Sequence, residues 1–245
     1  MANNGNETWE PDRAESNHRN FSDVLCVWAY GAQARFDQLQ RDFGDKVQLR
    51  YRFIPLFAAT RQRIVEGWKA RGGDAGFNEH IREVVSSWEH VSVHPEIWLM
   101  NRPPSSSSVH LFLKAVQSLE SQEVISREPD SGFENRTVFE ELAWRIRCAF
   151  FVENQNISKR SVLSDIAIGL NLPLNKICEL MDNGEAHAAL HLDMQARDEY
   201  LVPGSPTLIF NEGRQRLYGN IGYRIIEANL HELLSDNQHG GASWC

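Results

Sequence analysis

Hydrophobic and polar positions begin to alternate regularly at Phe21. Phe21-Ser-Asp-Val-Leu-Cys26 predicts a short strand, and Trp28 to Phe43 a helix, with Phe36, Leu39, Gln40 and Phe43 at helical spacing. Gly44-Asp45 stops the helix, and Val47-Gln-Leu-Arg-Tyr-Arg-Phe53 alternates as a half-buried strand that ends at Ile54-Pro55. Such a βαβ unit places its strands parallel with a right-handed crossover. From about Ala58 to Ala196 the pattern is helical. Val109–Leu119 gathers Leu111, Phe112, Ala115, Val116 and Leu119 on one side, with Ser107 or Ser108 as its cap. After the polar loop Ser121–Glu134 come helices over Glu140–Phe151, over Arg160–Gly169 with Ser158 as cap, and from Pro173 to Met181. Strand chemistry returns in Pro206–Phe210 and Arg214–Tyr218, joined at Asn211-Glu212-Gly213, and Tyr223–Leu234 forms a last helix. The order is βαβ, a helical block, then ββα.

Composition narrows the function classes. The 245 residues are 42% hydrophobic and 24% charged, which excludes bulk disorder. A chain of this size buries roughly 70–75% of its unfolded surface and needs no metal or disulfide to hold a core. With 25 basic against 33 acidic residues the net charge is -8, which disfavours a nucleic-acid partner whose affinity rests on neutralising phosphates. No apolar run reaches membrane-spanning length, so no membrane partner is expected. Residues 1–20 read as a polar arm without the apolar core of an export signal, and the expected location is cytoplasmic. The four cysteines, Cys26, Cys148, Cys178 and Cys245, show no CxxC spacing that would suggest structural zinc.

A set of short segments carries a resemblance. Asp23-Val-Leu-Cys-Val-Trp-Ala-Tyr30 resembles the active-site turn of the DsbA-type thioredoxin-fold superfamily, closest to its FrnE-like oxidoreductases, whose pattern is Cys-Pro-Trp-Cys-Tyr after a short strand. Phe53-Ile-Pro-Leu-Phe57 is similar to the strand exit of the same group, and Ala149-Phe-Phe-Val-Glu153 with Ile157-Ser158 to its helical-domain signature. Val202-Pro-Gly-Ser-Pro-Thr207 lies where these proteins carry a cis-proline loop, and Gly219–Tyr223 matches the turn before their last helix. The resemblance spans Phe21 to Leu234. It implies an α/β thioredoxin-like fold with a large all-helical insertion: residues 21–57 plus 197–236 as the thioredoxin-like part, 58–196 as the insertion, and 237–245 as a flexible tail.

The resemblance also implies chemistry, and one departure shapes it. Cys26 stands at the nucleophile position, but Ala29 replaces the second cysteine and Val27 the proline. A dithiol enzyme uses the second thiolate to release the mixed disulfide, so Cys26 would act alone, with glutathione, a partner thiol or the tail residue Cys245 resolving it. A random-coil tail of about ten residues reaches ~16–19 Å. The helix N-terminus after Cys26 is expected to lower its thiol pKa. Trp28, Tyr30, Ser205, Pro206 and Thr207 are the expected substrate contacts, the substrate being a small or peptide thiol or disulfide. No tightly bound cofactor is expected, with glutathione as co-substrate. Two other readings share the fold. One is a kappa-like glutathione transferase or hydroxychromene-carboxylate isomerase, whose relatives carry serine at position 26; their glutathione-holding charged pair, which would fall near Ile221-Gly222, is not visible. The other is a binding module with no chemistry. Cys148 and Cys178 read as inert core residues. His187 and His191, four apart beside Glu185 and Asp193, lack a third ligand or a zincin-type glutamate, so no metal site is assigned. His90 and His94 read the same way, and Arg71-Gly72-Gly73-Asp74 as a loop.

Overall fold

The computed structural model describes residues 17–210 and 213–234. Strand β1 (Asn17–Ser22) turns into helices α1 (Val27–Gly31) and α2 (Gln33–Phe43), followed by strand β2 (Gln48–Phe53). Then come helices α3 (Gly73–Val85), α4 (Ser107–Ser121), α5 (Val138–Phe151), α6 (Arg160–Gly169), α7 (Leu174–Asp182) and α8 (Glu185–Glu199). The chain closes with strands β3 (Thr207–Phe210) and β4 (Gln215–Tyr218) and helix α9 (Tyr223–Leu234). The sheet order is β2-β1-β3-β4, with β1 parallel to β2 and β3 antiparallel to both its neighbours.

The first strand corrects the sequence reading. Asn17–Asn20, assigned above to a polar arm, pair with Gln48–Tyr51 on one side, and Arg19–Phe21 pair with Thr207–Ile209 on the other. Occupying the centre of a sheet overrides side-chain polarity, because both edges of the backbone are bonded and flanking layers bury the side chains. Val24, Leu25 and Cys26, expected to extend this strand, instead form the turn that leads into α1. The expected single helix over 28–43 is divided at Ala32. Arg71 ends a short 3-10 turn, and Gly72 and Gly73, both at positive φ, lead into α3, where a plain loop was expected.

Both faces of the sheet are covered. On one, Phe36, Leu39 and Phe43 of α2 meet Ile226 and Leu230 of α9 over Leu208 and Phe210. On the other, Met194 and Tyr200 cover Phe21 and Ile209. A larger apolar core joins the helical block to the turn before α1 through Val24, Leu25 and Val27. Two ionic clamps attach the block to β2 and α2. Asp193 of α8 accepts from Arg52 Nη1 at 2.8 Å, the Phe53 N–H at 2.8 Å and Lys114 Nζ at 3.0 Å. Arg136 binds Asp37 of α2 at 2.8 Å and Glu141 at 3.0 Å. Asp193 therefore turns inward, while His187 and His191 of the same helix lie exposed.

The caps differ from expectation. Ser106, not Ser107 or Ser108, is the N-cap of α4, and its hydroxyl donates to Asp23 and leaves the helix uncapped by its side chain. Ser158 donates to the Ser105 carbonyl, and Lys159 precedes α6. Helix α5 starts two residues early because Thr137 and Glu140 form a reciprocal capping box.

Candidate active site

The site is assembled by Asp23. Its carboxylate is fully buried and accepts from Leu25 N–H at 2.8 Å, Phe57 N–H at 2.9 Å and the Ser106 hydroxyl at 2.8 Å. One side chain thus holds the turn, the exit of β2 and the start of α4. The Asp23 N–H in turn donates to Ser205 Oγ at 2.9 Å. His110 of α4, fully buried, accepts the Val24 N–H through Nε2 at 3.2 Å. That bond places the ring proton on Nδ1, so the ring is neutral. Burial also lowers the pKa of His110. Its 3.6 Å approach to Asp23 Oδ1 is therefore not an ion pair.

Cys26 is the N-cap of α1, with extended backbone, and its thiol donates to the Ser205 carbonyl at 3.2 Å. The Ser205-Pro206 peptide is cis. The expected low thiol pKa is overturned. Cys26 is only 6% exposed, and burial pushes the thiol up, with the Asp23 charge adding to it. Hydrogen bonds from Ser205 and from the Ala29 and Trp28 backbone favour the thiolate but do not outweigh burial. A five-residue α1 offers little dipole against the removal of water.

The other expected contacts separate. Trp28 is 38% exposed and packs edge-on against Trp88, ring centres 5.3 Å apart, so it can meet a ligand. Tyr30 cannot. It is 2% exposed, sandwiched between Phe151 and Trp144 with centroid distances of 4.6 and 5.4 Å, and donates to the Ser92 carbonyl. Thr207 is buried as well, its hydroxyl bonded to the Gly204 carbonyl at 2.7 Å, which makes it a tie within the loop. Ser205 is buried, its carbonyl accepting the Cys26 thiol and its hydroxyl the Asp23 N–H; Pro206 is buried too and borders a cleft with Ala32, Phe36, Leu217 and Ile221. Cys148 and Cys178 are half-buried and not core residues, and burial pushes Cys148 up to about 11. His90 meets the Gly31 carbonyl at 2.8 Å, and His94 Nδ1 accepts the Glu96 N–H. Cys245 lies outside the described residues.

Sequence reasoning missed the supporting shell. Asp23 stood inside the quoted motif, but nothing in its spacing reveals three donors from three segments. Arg147 gave still less signal, because arginine is rarely buried. It is 2% exposed and donates to Gln33 Oε1 and Ser22 Oγ, each at 3.3 Å.

Comparison with known proteins supports the fold built above. No family model matches the chain. Among solved structures, a candidate protein disulfide isomerase from Nitrosomonas europaea superposes with a TM-score of 0.62 at 17% identity, over 90% of this chain and 96% of that one. The cytosolic disulfide reductase DsbM from Pseudomonas aeruginosa gives 0.60 at 17% identity, over 88% and 99%. A 2-hydroxychromene-2-carboxylate isomerase gives 0.59 at 14% identity, over 88% and 95%. The fold is that of the DsbA-type thioredoxin-fold proteins, a mixed four-stranded sheet with a helical block inserted between β2 and β3. Among the described residues, no helix is long and apolar enough to cross a membrane.

Proposed function

We propose that the protein is a monothiol oxidoreductase that exchanges thiols and disulfides through Cys26, with glutathione as the second thiol. The observation that carries this reading is the seating of the Cys26 sulfur, at the start of α1 and 3.2 Å from the Ser205 carbonyl. In the reaction the Cys26 thiolate attacks one sulfur of a substrate disulfide, forms a mixed disulfide and expels the other sulfur as a thiolate, which takes up a proton. With Ala29 in place of a second cysteine, an external thiolate then attacks the mixed disulfide and regenerates Cys26. The DsbM structure solved with GSH supports glutathione in that role, and the same neighbour supports a reducing compartment such as the cytosol. Trp28, exposed at the rim, would contact the substrate.

The test is incubation with glutathione disulfide followed by peptide mapping, alongside a glutathione-coupled reduction assay. A glutathione adduct on Cys26, turnover in the wild type, and loss of both in Cys26→Ser support the reading. Turnover retained by Cys26→Ser would move the chemistry to another cysteine. A Cys26–Cys245 disulfide in the mapped protein would instead identify the tail thiol as the resolving group.

A second reading rests on the burial of Cys26 and its raised pKa, which suit a binding module. Cys26 that resists alkylation up to pH 9 and shows no turnover would favour it. The isomerase neighbour supports a glutathione-dependent transferase or isomerase. Calorimetric binding of glutathione without mixed-disulfide formation would favour that alternative.

A further inference from the structure

Arg35 of α2 is half-buried and has no anionic partner. Its Nη1 donates to the Gly31 carbonyl at 3.3 Å, and among the described residues no carboxylate lies within ion-pairing distance of it. A guanidinium carries five N–H donors, so most of its capacity is unused. Arg35 lines the cleft that Ala32, Phe36, Pro206, Leu217, Gly219 and Ile221 also border, and among the described residues it is the one charged side chain there. The turn Gly219-Asn-Ile-Gly222 beside this cleft brings no charge of its own. Keeping a cation partly out of water without an anion is unfavourable, whereas a carboxylate can accept two parallel N–H bonds from it.

The cleft adjoins the sulfur. Pro206, which lines it, follows Ser205, whose carbonyl accepts the Cys26 thiol at 3.2 Å. The Arg35 side chain runs back towards the N-terminus of its helix, as helical side chains do, and reaches Gly31, the last residue of α1. Cys26 is the N-cap at the other end of that five-residue helix. At ~1.5 Å of rise per residue, Cys26 and Gly31 lie about 7–8 Å apart along it. In an extended peptide a cysteine and the carboxylate of the next residue are separated by about two residues, or about 7 Å. A tripeptide thiol with its sulfur at Cys26 thus has the length to bring its C-terminal carboxylate to Arg35.

We infer that Arg35 holds the glycine carboxylate of glutathione in the cleft beside Pro206, with the glutathione sulfur at Cys26. The inference rests on the thiol-exchange reading and gives its second thiol a seat. The positive charge of that seat comes from α2 and not from the turn at Ile221-Gly222, which has none. A thiol without the carboxylate loses this contact, so Arg35 selects glutathione over simpler thiols.

The experiment compares glutathione with glutathione glycine ethyl ester as reductants of 2-hydroxyethyl disulfide, the products being separated by chromatography. In the wild type the ester should show a KM roughly tenfold higher or more, as expected for loss of a charge-assisted contact. In Arg35→Gln the two reductants should become alike, while Arg35→Lys keeps part of the gap. Equal KM values in the wild type, or an undiminished gap in folded Arg35→Gln, overturn the inference. A second measurement needs neither a variant nor turnover. Phenylglyoxal modification of Arg35, read by peptide mapping, should be slowed by S-methylglutathione, which has no free thiol, and not by its glycine ethyl ester. Equal protection by both, or by neither, overturns the inference as well. Protection by the free acid alone in a protein that shows no exchange would sink the thiol-exchange reading and leave the carboxylate site standing. Exchange with neither the protection nor the ester gap would do the reverse.

Discussion

His18 sets an acid limit on stability. It lies on the central strand, 1% exposed, with its ring against Phe210 at 4.9 Å and neither ring nitrogen hydrogen-bonded among the described residues. Burial pushes its pKa down to about 4, from the ordinary 6.5 that the unfolded chain keeps. A depressed pKa gives stability that is complete above the unfolded value and lost as pH falls towards the folded one. Between those values the unfolded state holds a proton that the native state excludes. The loss is roughly 2 kcal/mol between pH 7 and 5 and roughly 3 kcal/mol by pH 4. Other buried groups act in this range. His110, also buried and depressed, adds to the loss. Glu120, pushed up to about 8 by burial, and Glu140, also raised by burial, oppose it, because their native-state protons cost less to keep as pH falls. Comparing His18→Leu with the wild type cancels all of them. Urea unfolding followed by circular dichroism at pH 7, 6 and 5 should show the variant losing less stability. The difference of roughly 2 kcal/mol corresponds to a change of about 1 M in relative midpoint at an m-value of ~2 kcal/mol/M. Parallel stability curves for the two proteins would refute the reasoning, since His18 would then protonate as easily folded as unfolded.

Further predictions concern the scaffold and Cys26. Asp193→Ala strands the ammonium of Lys114, 3.0 Å away in a site with almost no solvent, and should cost about 3–5 kcal/mol in chemical denaturation. Gly31→Ala would set its new carbon 2.4 Å from Trp88, so about 1–3 kcal/mol of lost stability and a changed tryptophan emission are expected. Cys26→Ser should leave the thermal midpoint nearly unchanged, because the hydroxyl can donate to the same Ser205 carbonyl. A large drop in the midpoint would show that the sulfur contributes packing beyond that bond.

The sequence pattern was most informative where one segment's own periodicity decides its structure. The last helix spans Tyr223–Leu234 as the pattern predicts, and β2 differs from its predicted start by a single residue. Misreadings arose where distant segments decide. Asn17–Asn20 are polar and become a strand because β2 pairs with all four and β3 with Arg19 and Asn20. Tyr30 stands in the motif like a ligand contact, yet Phe151 and Trp144, more than a hundred residues away, enclose it. Cys26 was correctly placed at a helix start, but its ionisation depends on the water excluded by the inserted helices, which no local spacing encodes. Asp23 and Arg147 act through partners on other elements, so their identity alone carried no signal.

The contact between Ser205 and the Asp23–Cys26 turn joins residues 179 and 182 positions apart. During synthesis, β1, β2 and every helix of the insertion leave the ribosome before the chain that supplies β3. Until then β1 has one unpaired edge in the middle of the future sheet, and the thiol of Cys26 has no carbonyl to receive it. Domains tend to fold as their chain emerges, and exposed strand edges invite association with other chains. The nascent protein therefore passes through a stage in which its helical block can be compact while its sheet is half-built and the Cys26 thiol unguarded. A topology of such long sequence separation also folds slowly, which lengthens that stage and makes it the period when a chaperone would matter most.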